Sequence, residues 1–344
     1  MIGIGTGQGS SNPRDARVLF VYDRHFSTFI ERDWNVVRAA FPNAELFRTG
    51  GLSAFLGLRR AVKRADLVFC WFAGRNALSS AFWNRGRKPL VMVVGGYEVA
   101  CEPGIHYGLF TRFPHGAIVR RVLQRADLVI AVSQYSAQAA RQNARIDPSK
   151  LQVLYHGFDP DHWSQADVRR DIDVTCIGSD EIIRKGIDLI GEAAMISPDV
   201  NFQVVGNIAP DVVRRFIPKV PSNLEFIGPL YGEDLRQHLA RTRVYLQPSR
   251  HESFGCAVAE AMLMGCIPVV ASETAQPEVV GDVGVFAEPL TGQGVADAVK
   301  RALALPEDHR VRARDRIVET FPLSAYAERL IGHMDALLSE HASS

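Results

Sequence analysis

An excess of charge of either sign is missing from this chain of 344 residues: 39 Lys and Arg face 38 Asp and Glu, for a formal net charge of +1. That balance leaves no global electrostatic footprint for nucleic acid. Lysine is scarce, at 6 residues, with arginine supplying the rest of the cations, which speaks of genome composition more than of function. Cysteine is sparse too: Cys70, Cys101, Cys176, Cys256 and Cys266 are odd in number, scattered and without metal-ligand spacing. A disulfide framework is thereby excluded, and reduced thiols in a cytoplasmic protein are expected. Apolar runs such as Pro89–Val94 are too short to span a bilayer, and no signal peptide precedes them. The expectation is a soluble protein, or one in peripheral contact with the inner face of a membrane. Absent also is a dinucleotide fingerprint. The glycines at 3, 5, 7 and 9 miss the GxGxxG spacing and precede the first strand, so residues 1–14 read as a flexible tail.

What the chain does have is alternation. Strand patterns at Arg17–Tyr22, Ala44–Arg48, Asp66–Phe72, Pro89–Val94, Asp127–Val132 and Gln152–Tyr155 are separated by helical patterns such as Phe29–Phe41 and Gln134–Asn143. This predicts a doubly wound parallel sheet with right-handed crossovers. His156–Asp171 breaks the pattern and reads as a linker. A second alternation follows, through Val174–Gly178, Phe202–Val205, Leu224–Ile227, Val244–Gln247 and Ile267–Ala271. Two Rossmann-like domains facing a cleft are expected, over residues 15–165 and 166–321, with a last helix within 322–344.

The chain is organised around Gln247–Ser272, which reads as strand, loop, helix and strand. In parallel sheets ligands bind at the carboxyl ends of strands, so the loop 250–254 is a site candidate. Ala257, Val258, Ala261, Met262 and Gly265 are predicted to face the core, with Glu260 roughly opposite. Glu252 lies in the loop. Between the two carboxylates Ser253 offers a hydroxyl, while Phe254 and Gly255 bring backbone N–H groups to a helix start, where phosphate is attracted. Gly255 to Glu260 is about 7 Å of helix. An extended nucleotide sugar fits that layout, with sugar hydroxyls at Glu252, diphosphate at the helix start and ribose at Glu260. A loop charge and a solvated helix residue would also give an isolated pair of glutamates.

The stretch PSRHESFGCAVAEAMLMGCIPVV resembles the signature of retaining glycosyltransferases of family 4, in which two Glu are separated by seven residues. The likeness extends through Ala126–Trp163 and Ile177–Ala193 and is weaker over the first 120 residues. It implies a GT-B fold, a C-terminal helix crossing back to the first domain, and sugar transfer from a nucleoside diphosphate sugar to a carbohydrate, lipid-linked or small-molecule acceptor. No cofactor or metal is implied. Lys185 and Arg184 stand where the family grips the diphosphate. Ser179, after Gly178, replaces a usual Arg, and Gly95 occurs where the family often has His. Glu98 and Gly96 follow in the loop facing the cleft, and His106 and His115 are candidates to replace the absent His, or are surface residues. These departures motivate an alternative: a catalytically impaired GT-B protein that binds a nucleotide sugar or a partner as regulator or scaffold. Asp171-Ile172-Asp173 matches a metal-holding DxD pattern, a device GT-B enzymes generally do without. Tyr107–Arg125 mixes aromatics with Arg112, Arg120, Arg121 and Arg125, a composition that suits a membrane surface, a lipid-linked acceptor or a solvated basic helix.

Overall fold

The computed structural model describes residues 13–23, 26–163 and 168–343. The first half runs β1 (Val18–Tyr22), α1 (Thr28–Ala40), β2 (Glu45–Arg48), α2 (Gly51–Arg64), β3 (Leu67–Trp71), α3 (Arg75–Asn84), β4 (Leu90–Val94), α4 (His115–Leu123), β5 (Leu128–Ala131), α5 (Gln134–Ala139) and β6 (Leu151–Val153). The second half runs β7 (Ile172–Ile177), α6 (Ile182–Lys185), α7 (Ile187–Ile196), β8 (Phe202–Val205), α8 (Pro210–Phe216), β9 (Leu224–Gly228), α9 (Gly232–Arg241) and β10 (Thr242–Gln247). It continues with α10 (Cys256–Leu263), β11 (Ile267–Val270), α11 (Gln276–Val280), β12 (Val285–Phe286), α12 (Gly292–Leu303), α13 (Asp308–Thr320) and α14 (Leu323–Ala342).

Each half closes into a six-stranded sheet, in the orders β2-β1-β3-β4-β5-β6 and β12-β11-β10-β7-β8-β9. All ladders are parallel. Helices cover both faces of such sheets, which is why β3 (LVFCW) and β4 (LVMVV) are continuous apolar runs, buried at every residue. The expected pair of Rossmann-like domains is present. The edge strand β12, two residues long, was too short to register as a pattern.

The carboxyl ends of the two sheets face each other, and the linker ties them together. Phe158 N–H donates to Phe321 O at 2.8 Å, and Leu323 N–H to Phe158 O at 2.9 Å. From there α14 returns to the first domain, where Asp335 pairs with Arg14 at 2.9 Å. Pro13–Asp15 forms a single 3₁₀ turn, so the tail expected over 1–14 stops short of its last residues; residues 1–12 lie outside the described residues, as does the domain boundary placed at 165/166. One apolar core runs from Phe20, Phe69 and Trp71 through Phe158 and Phe254 to Phe321, Tyr326 and Met334. Among the described residues no helix is long and apolar enough to cross a membrane.

Candidate active site

The strand β10 ends at Gln247, and a loop with bends at Arg250 and Ser253 leads to Gly255. Alternation decides what each residue of that loop meets. Ser249, His251 and Ser253 are buried, whereas Arg250 and Glu252 are partly open. Arg250 locks the loop to the Lys-Gly turn: its guanidinium forms a bidentate pair with Asp188 at 2.8 and 2.7 Å and donates to Ile183 O at 2.6 Å. Its own N–H donates to Arg184 O at 2.8 Å. The two loops, far apart in the sequence, are therefore one packed unit.

Within that unit Lys185 Nζ donates to Glu252 Oε2 at 2.8 Å, and Gln247 Nε2 donates to the same oxygen at 2.7 Å. Burial opposes ionisation of Glu252, yet Lys185 and Arg184 together hold its carboxyl below the ordinary value. Arg184 pairs with Glu181, donates to His251 O at 3.3 Å and lies 5.1 Å from the Tyr107 ring centre across the cleft. Its Nε is buried without a partner. Ser179 Oγ accepts from Glu181 N–H at 3.4 Å, and Gly178 N–H donates to Val205 O at 2.8 Å, which places both at the exit of β7.

Gly255 caps the start of α10. This helix is buried nearly all round, at Val258, Ala259, Ala261, Met262 and Leu263. The expected two-sided helix is corrected accordingly: Ala257 is half-buried, and Glu260 shares that half-open stripe with it and Cys256, not a solvated face. The cause is packing of α10 against α13 as well as against the sheet. Burial lifts the Glu260 carboxyl to about 7, an effect that the charge of Arg32 on α1 partly offsets. Phe254 points away from solvent, into rings of His156, Phe158 and Phe321 at 5.1, 6.2 and 5.7 Å. Only its backbone is left for a ligand.

The facing wall comes from the first domain. Gly96, at φ +119, lies so close to the site loop that an added Cβ would stand 1.6 Å from Ser253 Oγ. Ser133 Oγ donates to Ser253 O at 2.6 Å. Glu278 of α11 accepts from Gln134 N–H and Tyr135 N–H, both at 2.8 Å, at the start of α5. Glu98 is buried, and its Oε1 accepts from Ala73 N–H at 3.1 Å and Gly95 N–H at 3.3 Å. His106 and His115 are both exposed. The structure does not bring either into contact with the Glu252 loop. The histidines at that loop are His156, whose ring packs on Phe254, and His251, buried, 4.6 Å from the Tyr107 ring and 3.3 Å from Glu102 Oε1. Burial keeps His251 below its ordinary pKa despite Glu102 and Glu252. It adjoins Glu252 in sequence, and burial alternates from Ser249 to Ser253 so that His251 is closed off where Glu252 is partly open. Gln247, Glu278 and Arg32 gave no signal in the sequence, since each reaches the site from a different element.

The DxD pattern is spent elsewhere. Asp171 pairs with Arg241 at 2.7 Å and Asp173 with Arg243 at 3.1 Å, at the amino end of β7 and away from the cleft. Among the described residues no group of three or more His, Cys, Asp and Glu is placed to hold a metal ion.

Comparison with known proteins supplies the family. The glycosyltransferase family 4 model matches residues 13–162, and the glycosyl transferases group 1 model matches residues 171–304. An MMP alpha-(1->4)-mannosyltransferase of Mycolicibacterium hassiacum is 26% identical over 65% of this chain and 57% of its own length. A D-inositol 3-phosphate glycosyltransferase of Mycobacterium leprae is 27% identical over 57% of this chain and 50% of its own. The chain thus spans about half the length of the curated relatives it matches. Among solved structures, Anabaena HepE in complex with UDP and glucose superposes with a TM-score of 0.78 at 18% identity, covering 93% of this chain and 99% of that one. WaaG, a glycosyltransferase involved in lipopolysaccharide biosynthesis, gives 0.69 at 17% identity, covering 93% and 99%. With its two sheets, facing strand ends and returning helix, the chain belongs to glycosyltransferase family 4, the group 1 glycosyl transferases, and has the GT-B fold.

Proposed function

We propose that this glycosyltransferase takes a sugar from a nucleoside diphosphate sugar and passes it, with retention of configuration and without a metal, to a hydroxyl of a glycan or lipid-linked acceptor. The observation that carries the reading is the Lys185–Glu252 pair at 2.8 Å, beside Arg184 and the start of α10. The transition state of such a transfer is oxocarbenium-like, with charge building on the departing diphosphate. Two cations and the N–H groups at a helix start answer that demand without a metal ion. Glu252 holds the donor sugar through its hydroxyls, and Glu260 holds the ribose. A front-face path lets a phosphate oxygen take the acceptor's proton, which fits a cleft that has Gly95 in place of a His. HepE was crystallised with UDP-glucose, which supports a donor of this class.

The domain roles follow: acceptor side in residues 15–165, donor side in 166–321, with 322–344 closing back. The acceptor side carries a basic and apolar surface. Residues 48–125 hold thirteen Lys and Arg against three Asp and Glu. Phe113 is 94% exposed, and Leu52, Leu56, Phe82 and Ile118 are exposed along α2, α3 and α4. This favours a lipid-linked acceptor met at an anionic membrane surface. Sedimentation with phosphatidylglycerol vesicles, set against phosphatidylcholine vesicles, tests that part.

The main test is release of nucleoside diphosphate from a panel of UDP-, GDP- and ADP-sugars, with the anomeric configuration of the product read by NMR. Release with retention is expected. Tight binding without release would favour a binding or scaffold role, and an inverted product would overturn retention.

A further inference from the structure

Gly95 follows β4, and a Cβ placed there would lie 2.5 Å from Phe72 Cε1. The Phe72 ring therefore occupies the space that any side chain at 95 would need. Phe72 follows β3 at φ +66, a backbone region that bulky residues seldom enter. Such conformations persist where the surroundings impose them, and they gather at functional sites. Here the surroundings are explicit. Phe72 N–H donates to Val93 O at 3.0 Å, and Glu98 Oε1 accepts from both Ala73 N–H and Gly95 N–H, binding the exits of β3 and β4 together. The second Glu98 oxygen is buried without a partner.

The ring meets Trp71 at 5.2 Å and Phe29 at 6.1 Å, near-perpendicular to each, and it remains partly exposed. Phe29 leads on to His156 at 5.7 Å and His156 to Phe254 at 5.1 Å, next to the loop that carries Glu252. Gly96, one residue past Gly95, touches Ser253. So Phe72 stands on the first-domain side of the cleft, within one residue of the donor loop. The histidine in this chain of rings is neutral: Arg32 Nη2 donates to His156 Nδ1 at 2.7 Å, which puts the imidazole's own proton on Nε2, and burial holds His156 well below its ordinary pKa.

We propose that Phe72 is the stacking platform for the acceptor: a neutral pyranose lies with its C–H face on the ring, opposite Glu252. The inference rests on the glycosyltransferase reading of the cleft and adds to it a substrate class. An aromatic face carries negative charge density, so it attracts polarised C–H groups and repels anions. The accepting sugar is therefore unphosphorylated. Glu98 is a positioning residue, fixing the turn that presents the ring.

The test is saturation-transfer NMR and titration with methyl α-D-glucopyranoside and methyl α-D-mannopyranoside, on protein saturated with whichever of UDP, GDP or ADP binds. Saturation from aromatic protons to one face of the pyranose is expected, with glucose 6-phosphate binding at least fivefold more weakly. Phe72→Gly suits the left-handed backbone but deletes a ring packed against Trp71 and Phe29, so its melting temperature should fall while the variant still folds and binds nucleoside diphosphate. Glycoside binding should weaken at least fivefold in that variant, with nucleoside diphosphate affinity within twofold. Phe72→Tyr, which keeps the ring, should restore glycoside binding. Equal glycoside affinity in Phe72→Gly and wild type, preference for the sugar phosphate, or no glycoside signal with nucleotide bound would each overturn the inference alone. Failure of every nucleoside diphosphate to bind would overturn the donor reading, and this inference with it.

Discussion

The wall of the cleft that we propose binds the donor, from Lys185 to Glu260, gathers two cations and two carboxylates, and hydrogen bonds lock the Glu252 loop to the Lys-Gly turn. The facing wall, from Phe29 to Tyr107, is built of rings, with Phe29, Phe72, Tyr97 and Tyr107 in edge or tilted contact with their neighbours. A diphosphate makes the same electrostatic demand whatever sugar it carries, and few residue types in few positions meet it. An acceptor makes a demand of shape, which many combinations of rings can meet. The first wall therefore keeps a spacing that a sequence displays, and the second is assembled from strand ends far apart in the chain.

The sharpest way to break the contrast is to strip charge from the donor wall. Lys185→Ala removes the cation nearest Glu252, and release of nucleoside diphosphate should fall by about 10²–10³-fold. A loss under threefold would mean that the helix start alone carries the developing charge. Glu252→Gln keeps the shape and loses the charge, so turnover should drop about 10²-fold while the melting temperature moves by about 2 °C or less. If stability collapses together with activity, the pair with Lys185 is structural.

Weaker effects are expected where the walls touch. Glu278→Ala deletes the carboxylate that accepts from Gln134 and Tyr135. Loss of that partly exposed contact should cost about 1 kcal/mol, or about 2–4 °C in melting temperature, with X-ray scattering showing a more open average shape. An unchanged scattering profile would assign closure to Ser133 and Gly96 instead. The smallest effect is in pH. Glu260 stands at about 7 in the folded protein against an ordinary 4.5. Between those values the folded state binds more protons than the unfolded one, so stability falls as pH rises through that window. Glu260→Gln should flatten the fall, as measured by melting temperature against pH. Nucleotide-sugar affinity should rise through pH 7 as the carboxylate forms, and only in wild type.

Most of the architecture was legible because strands buried on both faces are continuous apolar runs and the helices between them are amphipathic. Boundaries were clear to a residue or two, as with Phe202–Val205. The candidate loop was legible through the Glu252 and Glu260 spacing, and its role as a donor site is our proposal. What the sequence hid were contacts whose partners lie far apart in the chain: Gly96 against Ser253, Glu278 on α5, Phe72 in the space beside Gly95. Glu260 departs from expectation for a related reason. Projection of α10 shows which face is apolar, but not that α13 packs against the helix in addition to the sheet. His106 and His115 drew notice as loop histidines near the cleft in sequence, and both lie exposed. His251, in plain view beside Glu252, is turned inward by packing.

The most direct test of a donor site at the start of α10 is a thermal-shift titration with UDP, GDP, ADP and their sugars, since a ligand stabilises the fold by RT ln(1 + [L]/Kd). One base family should raise the melting temperature of the wild type, with affinity at least tenfold weaker in both Lys185→Ala and Glu260→Ala. No shift with any nucleotide, or equal shifts in the wild type and both variants, would contradict that site.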